Sequence, residues 1–237
     1  MSALPKPALP KDEAGAAAVA NAANAGSEVS AADEATDGTT AAPRRKRPKP
    51  GERRLQILQT LAAMLEQPGA ERITTAALAA RLDVSEAALY RHFASKAQMF
   101  EGLIEFIESS VFTLVNQLVE REPSPALQAR KISTVILQFG EKNPGMTRVM
   151  VGDALVFEHE RLNTRMNQFF ERVESQLRGC VRAAAEAAGS ATPTVDAQAI
   201  ASALTSLIVG RLQRYARSGF KRSPTEHLEL ALARLAP

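Results

Sequence analysis

Between Gly51 and Glu66 the apolar residues Leu55, Leu58, Leu61, Ala62 and Leu65 recur at intervals of three and four. That spacing lines one face of an α-helix. The same period returns along the rest of the chain. It predicts a helix over Ser95–Glu122, with Phe100, Leu103, Ile104, Ile107, Val111, Leu114, Val115 and Leu118 on its apolar face. A second follows over Ala126–Lys142, with Leu127, Ile132, Val135, Ile136 and Phe139 inward. A long helix lies within Phe157–Gly189, carrying Leu162, Met166, Phe169, Phe170, Val173, Leu177, Cys180 and Val181. Another runs from Thr192 through Phe220, carrying Ile200, Leu204, Leu207, Ile208, Leu212 and Tyr215. Short helices are expected over Met146–Leu155 and from Pro224-Thr225 onward, the latter with Leu228, Leu230, Leu232 and Leu235. Pro68-Gly69, Pro123-Ser124-Pro125 and the run Gly140–Gly145 punctuate the pattern. The expected fold class is all-α.

The stretch Thr74–Phe100 is more finely patterned. Thr74 is a good N-cap, and Ile73 and Leu78 fall at the N′ and N4 positions of a hydrophobic staple. Leu78 and Leu82 share a face. Asp83-Val84-Ser85 breaks the helix, with Asp83 suited to a left-handed bend. Ser85 caps the next helix, and Val84 and Leu89 form a second staple. Ser95 and Gln98 match a capping box for a third helix. Two short helices across a tight turn make a helix-turn-helix, whose second helix enters the DNA major groove. Here that helix is Glu86–His92. Ala88 and Leu89 should face inward, leaving Ser85, Glu86, Ala87, Tyr90, Arg91 and His92 freer to face a duplex. Tyr, Arg and His donate to phosphates or bases, and Glu86 can accept from a cytosine amine. The pattern alone fits equally a plain helical hairpin with a solvated polar face.

Composition narrows the picture. The chain has 237 residues, 45% of them hydrophobic, with no Trp and two Tyr. Its Ala-rich and Leu-rich segments favour helices over sheets. A net charge of +3 does not imply DNA by itself, but its distribution is uneven. Up to Pro43, Lys6 and Lys11 stand against Asp12, Glu13, Glu28, Asp33, Glu34 and Asp37, a net of −4. Five cations then crowd Arg44–Lys49, and Arg53 and Arg54 add two more. Residues 1–50 have no helical stripe and few large apolar residues, so a disordered tail is expected. Its basic end reads either as an arm on phosphates or the minor groove, or as a solubilising linker. The expected division is a tail over 1–50, a three-helix DNA-binding unit over 51–97 and a helical dimerisation and partner-binding unit over 98–237.

Other chemistry is sparse. Cys180 is the single cysteine and sits in an apolar stripe, which suits core packing in a reducing compartment. No run of 18 apolar residues suggests a membrane span, and no signal peptide is apparent, so a cytoplasmic protein is expected. His92, His159 and His227 lack metal-ligand spacing, and no phosphate loop, nucleophile elbow or dinucleotide fingerprint occurs. Neither an enzyme nor a bound metal or cofactor is expected. Asp153, Glu158, His159 and Glu160 read as a solvated helix start. Arg211, Arg214, Arg217, Lys221 and Arg222 suit the end of a helix dipole, and a surface for an acidic partner stays open.

The wording from Ile73 to Lys96, in particular Thr74-Thr75, Val84-Ser85 and Leu89-Tyr90-Arg91-His92-Phe93 with Ser95-Lys96, closely resembles the DNA-binding domain of TetR-family regulators. Asp83 departs from the glycine frequent there. That resemblance implies a homodimer reading palindromic DNA through Thr74, Thr75, Ser85, Glu86, Ala87, Tyr90, Arg91, His92 and Lys96, with Arg53 and Arg54 in support. It also implies dimerisation through the two long C-terminal helices. The phrases Glu105-Phe106-Ile107-Glu108, Phe139–Gly145, Leu162–Glu174 and Ser218–Pro224 resemble the nucleoid occlusion branch of the family more closely. Members of that branch bind dispersed chromosomal palindromes and, on DNA, engage and disrupt polymers of the tubulin-like division GTPase FtsZ. The resemblance implies a nucleoid-associated protein with a partner surface that includes Phe106, Lys142 and Asn143. Leu114 and Gln138 stand where it leads one to expect Arg and Gly. The alternative within the same family is a repressor controlled by a small ligand held in an apolar C-terminal pocket.

Overall fold

The computed structural model describes residues 51–67 and 72–236. The expected tail, its basic run and the Pro68-Gly69 stop lie outside the described residues. Nine α-helices and one short 3-10 turn are described. They are α1 (Glu52–Leu65), α2 (Thr75–Arg81), α3 (Glu86–Tyr90), α4 (Lys96–Arg121), α5 (Pro125–Lys142) and α6 (Pro144–Met150). The 3-10 turn Asp153–Leu155 then leads to α7 (Glu160–Ala187), α8 (Pro193–Arg217) and α9 (Leu228–Leu235). No strand occurs among the described residues.

The local signals decide where the first helices begin. The Thr74, Ser85 and Ser95 hydroxyls accept the N–H groups of Ala77, Ala88 and Gln98 at 3.1, 3.3 and 3.2 Å. Each satisfies one of the donors that a helix start leaves open. The Gln98 side chain reaches back as expected, but it accepts from Ala94 N at 2.9 Å, one residue before the cap. The turn between α2 and α3 is a Schellman closure. Val84 N donates to Ala79 O and Asp83 N to Ala80 O, with Asp83 left-handed at φ 54°.

Apolar burial joins these helices into one body. A single cluster of buried side chains runs from Ile57 to Ala236. On α1 the fully buried line is Ile57, Leu61 and Leu65, with Leu58 and Ala62 beside it. Leu55, read as inward, is 44% exposed because it lies in the first turn at the edge of that line. Leu114, Leu127 and Leu230 are also exposed against expectation. Leu114 keeps the angular line of Ile107, but at its level the neighbouring helices cover only the side of Val111 and Val115. Burial pushes the Cys180 thiol pKa up, which keeps it protonated and inert.

Helices α4 and α8 are long and apolar enough, by length and composition alone, to cross a membrane. Here each turns one face to the core. The acidic face of α4 is met by α7: Arg161 holds Glu101 at 2.7 Å, and Arg165 grips Glu108 through two nitrogens at 3.2 and 2.6 Å. Arg172 lies 4.0 Å from the Phe112 ring centroid.

Two close approaches tie the first three helices to the rest. A Cβ on Gly102 of α4 would lie 3.1 Å from the Leu58 side chain. A Cβ on Gly145 of α6 would lie 2.1 Å from the Ala62 carbonyl oxygen of α1. The Glu66 carboxylate accepts the Gly145 N–H at the same junction, and burial there raises its pKa. The run Asn143-Pro144-Gly145 therefore does more than stop α5. It seats α6 directly on the α1 backbone.

Candidate nucleic-acid interface

The short helix α3 hangs on one side chain. Leu89 is fully buried, and Ala88 is half-buried beside it. With those two inward, Ser85, Glu86, Ala87 and Tyr90 face outward and are exposed. The helix ends at Tyr90, earlier than the expected His92. Arg91 and His92 sit in the following turn, also exposed. Thr74 is exposed at the start of α2, and Thr75 is half-buried. These side chains share the outer side of the helix-turn-helix, so a duplex laid along α3 meets helix ends, hydroxyls and cations first.

Folding gives some of the candidate residues additional partners. Thr75 Oγ1 donates to Glu86 Oε2 at 2.6 Å, a bond that braces α2 against α3. Arg54 Nη1 donates to the His92 carbonyl at 3.0 Å, and its guanidinium lies 4.2 Å from the Phe93 ring centroid. It holds the end of the recognition segment against α1. Arg53 bonds Gln56 at 2.8 Å on its own helix. Lys96, the first residue of α4, pairs with Glu158 and lies 5.7 Å from the Phe100 ring centroid. The sequence pattern puts Glu158 in a solvated helix start, yet its side chain is only 9% exposed. No local pattern marks it, because its partner is 62 residues away. His159 beside it does start a helix, its Nδ1 accepting Arg161 N at 3.3 Å.

The candidate partner residues gather where α4 and α5 pack. Phe106 is half-buried, its ring 6.4 Å from that of Phe139. Lys142 is exposed at the end of α5, and Asn143 closes that helix by donating to the Phe139 carbonyl at 2.8 Å. Leu114 and Gln138 are exposed on the same two helices. Nearby, Glu141 accepts from Ser223 and Thr225 at 2.5 and 2.8 Å, which pins the segment after α8 to the end of α5.

An open groove of about 410 Å³ lies between α6, α7 and α8. Met150, Met166, Phe170 and Val209 line it together with Asn163, Glu171 and Glu174. It is a mixed, open cleft. Among the described residues no group of His, Cys, Asp and Glu side chains is placed to hold a metal ion.

A capped helix-turn-helix on a long fourth helix, followed by paired long helices, defines a DNA-binding regulator of the TetR class. Residues 57–103 match the model of bacterial regulatory proteins of the tetR family, and residues 126–235 match a tetracyclin repressor-like C-terminal domain of SlmA-like type. The fold is similar to PfmR from Thermus thermophilus (TM-score 0.61, 18% identity, 76% of this chain and 94% of that one). It is equally close to FadR from Bacillus subtilis, solved with stearoyl-CoA (TM-score 0.62, 12% identity, 77% and 97%). Much nearer in sequence is the nucleoid occlusion factor SlmA of Photobacterium profundum, 52% identical over 178 residues, 75% of this chain and 90% of that protein. SlmA of Vibrio vulnificus strain YJ016 is 50% identical over 182 residues, 76% and 92%. The chain belongs to the TetR family and, within it, to the nucleoid occlusion factors of the SlmA type.

Proposed function

We propose that this protein is a nucleoid occlusion factor. It binds palindromic sites on the chromosome as a homodimer and, while bound, engages FtsZ and disrupts its polymers, so that division does not proceed over the nucleoid. The observation that carries this reading is the identity of about half with SlmA proteins over some nine-tenths of their length. The DNA-contact set is Thr74, Thr75, Ser85, Glu86, Ala87, Tyr90, Arg91, His92 and Lys96, with Arg53 and Arg54 behind it. Arg54 serves chiefly by fixing the His92 backbone.

Dimerisation through α7 and α8 is supported by their outer faces. Gly179 and Gly210 have open space where a Cβ would stand, and Ala199, Ser202, Ala203 and Ser206 are exposed along α8. Small side chains let two helix pairs approach closely, and a two-fold dimer sets its recognition helices about 34 Å apart to read one face of DNA. FtsZ would meet the α4–α5 surface around Phe106, Lys142 and Asn143. The protein would then be cytoplasmic and nucleoid-associated.

The ligand-controlled repressor is the other reading within the family, and the identity with SlmA proteins favours it less. Mapping chromosomal binding sites separates the two. Many palindromes spread over the chromosome and sparse near the terminus are expected. A single site beside a neighbouring operon would overturn the occlusion reading.

A further inference from the structure

Glu158 stands in the connection between the 3-10 turn and α7, its N–H donating to the Leu155 carbonyl at 3.0 Å. Its carboxylate crosses to the ammonium of Lys96 at the start of α4. The carboxylate side chain is 9% exposed and the lysine side chain 25%, so the pair is largely withdrawn from water. Among the described residues Lys96 is the cation paired with Glu158. The lysine thus offered to a DNA phosphate is already held by a carboxylate of the C-terminal helices.

We infer that Glu158 competes with DNA phosphate for Lys96 and so lowers the affinity of the protein for DNA. The inference rests on the reading of Lys96 as a phosphate contact. A phosphate that takes the ammonium must displace a carboxylate, not water alone. The Glu158 charge left behind then lies close to a polyanion and draws a cation from solution. That uptake offsets the counterion released from the phosphate, which weakens binding and flattens its dependence on salt. Contacts from α3 to base edges are untouched by this brake. It therefore weakens specific and non-specific binding by a similar factor.

The test uses the full-length protein and the variants Glu158→Gln, Lys96→Met and the double variant. Binding to sheared genomic DNA is followed by fluorescence anisotropy over a range of salt concentrations, with thermal melting as a check on folding. Glu158→Gln is expected to bind up to about fivefold more tightly. Its log–log salt slope should steepen by up to about one. In the Lys96→Met background the same change should have a clearly smaller effect, the part left being general repulsion between the carboxylate and the phosphates. If Glu158→Gln matches the wild type, or shifts binding equally with and without Lys96, the competition is wrong and the carboxylate is only a structural or general charge effect. If Lys96→Met itself binds with wild-type affinity and slope, the phosphate contact fails and the inference falls with it.

Discussion

Gly145→Ala is expected to lower the melting temperature by about 6–12 °C, the shift that roughly 3 kcal/mol produces in a chain of this size. The added methyl would stand 2.1 Å from the Ala62 carbonyl oxygen, a distance no carbon–oxygen contact tolerates. The obstacle is backbone, so no rotamer change relieves it. Helix α6 must lift from α1, which also stretches the bond from Gly145 N–H to the Glu66 carboxylate. That carboxylate is already disfavoured by burial and would lose the donor that offsets it. Because α6 begins where the candidate partner surface ends, at Asn143, the same displacement loosens that surface from the DNA-binding helices. A melting curve followed by circular dichroism checks the prediction. An unchanged midpoint would mean that α1 and α6 are not packed as described.

Tyr90→Ala should have the opposite profile: DNA affinity falls about 10- to 100-fold while the melting temperature stays within a degree or two. Tyr90 ends α3 and is 46% exposed. Among the described residues its hydroxyl has no hydrogen-bond partner, so the folded protein loses little with the ring. A duplex against α3 would lose a phenol donor and an aromatic face. Leu89→Ala, one residue earlier, makes the contrast. That side chain is fully buried, and removing it should cost stability directly, by about 2–5 kcal/mol. Equal binding of the wild type and Tyr90→Ala to a palindrome, measured by anisotropy at several salt concentrations, would show that α3 does not dock as proposed.

The helix-turn-helix was legible because its signals are short-range. Thr74, Ser85 and Ser95 each act on an N–H three residues ahead, and the backbone bend at Asp83 depends on one residue's tolerance of a positive φ. Exposure was less legible. Leu114 continues the stripe of Ile107 and Val111, and only the placement of other helices decides that it stays in contact with solvent. The long-range contacts carried no sequence signal at all. Gly145 reads as a helix stop, but its role comes from the carbonyl of a residue on α1. Arg54 reads as the end of a basic arm, but folding brings it to the carbonyl of His92. Lys96 reads as a DNA contact and Glu158 as part of a solvated helix start, and only the path of the chain between them makes a pair. The resemblance to TetR-type proteins supplied candidate contact residues, and the structure adds which of them are already engaged.

The central claim is that DNA binding places a surface acting on FtsZ. Sedimentation of FtsZ polymers assembled with GTP tests it most directly, with the protein, a palindromic duplex drawn from its chromosomal sites, or both present. Protein and palindrome together should change the FtsZ pellet, the duplex alone should not, and Tyr90→Ala should remove the DNA-dependent part of the change. An FtsZ pellet identical in all three conditions and in FtsZ alone, with the protein shown by anisotropy to be on its DNA, would contradict it.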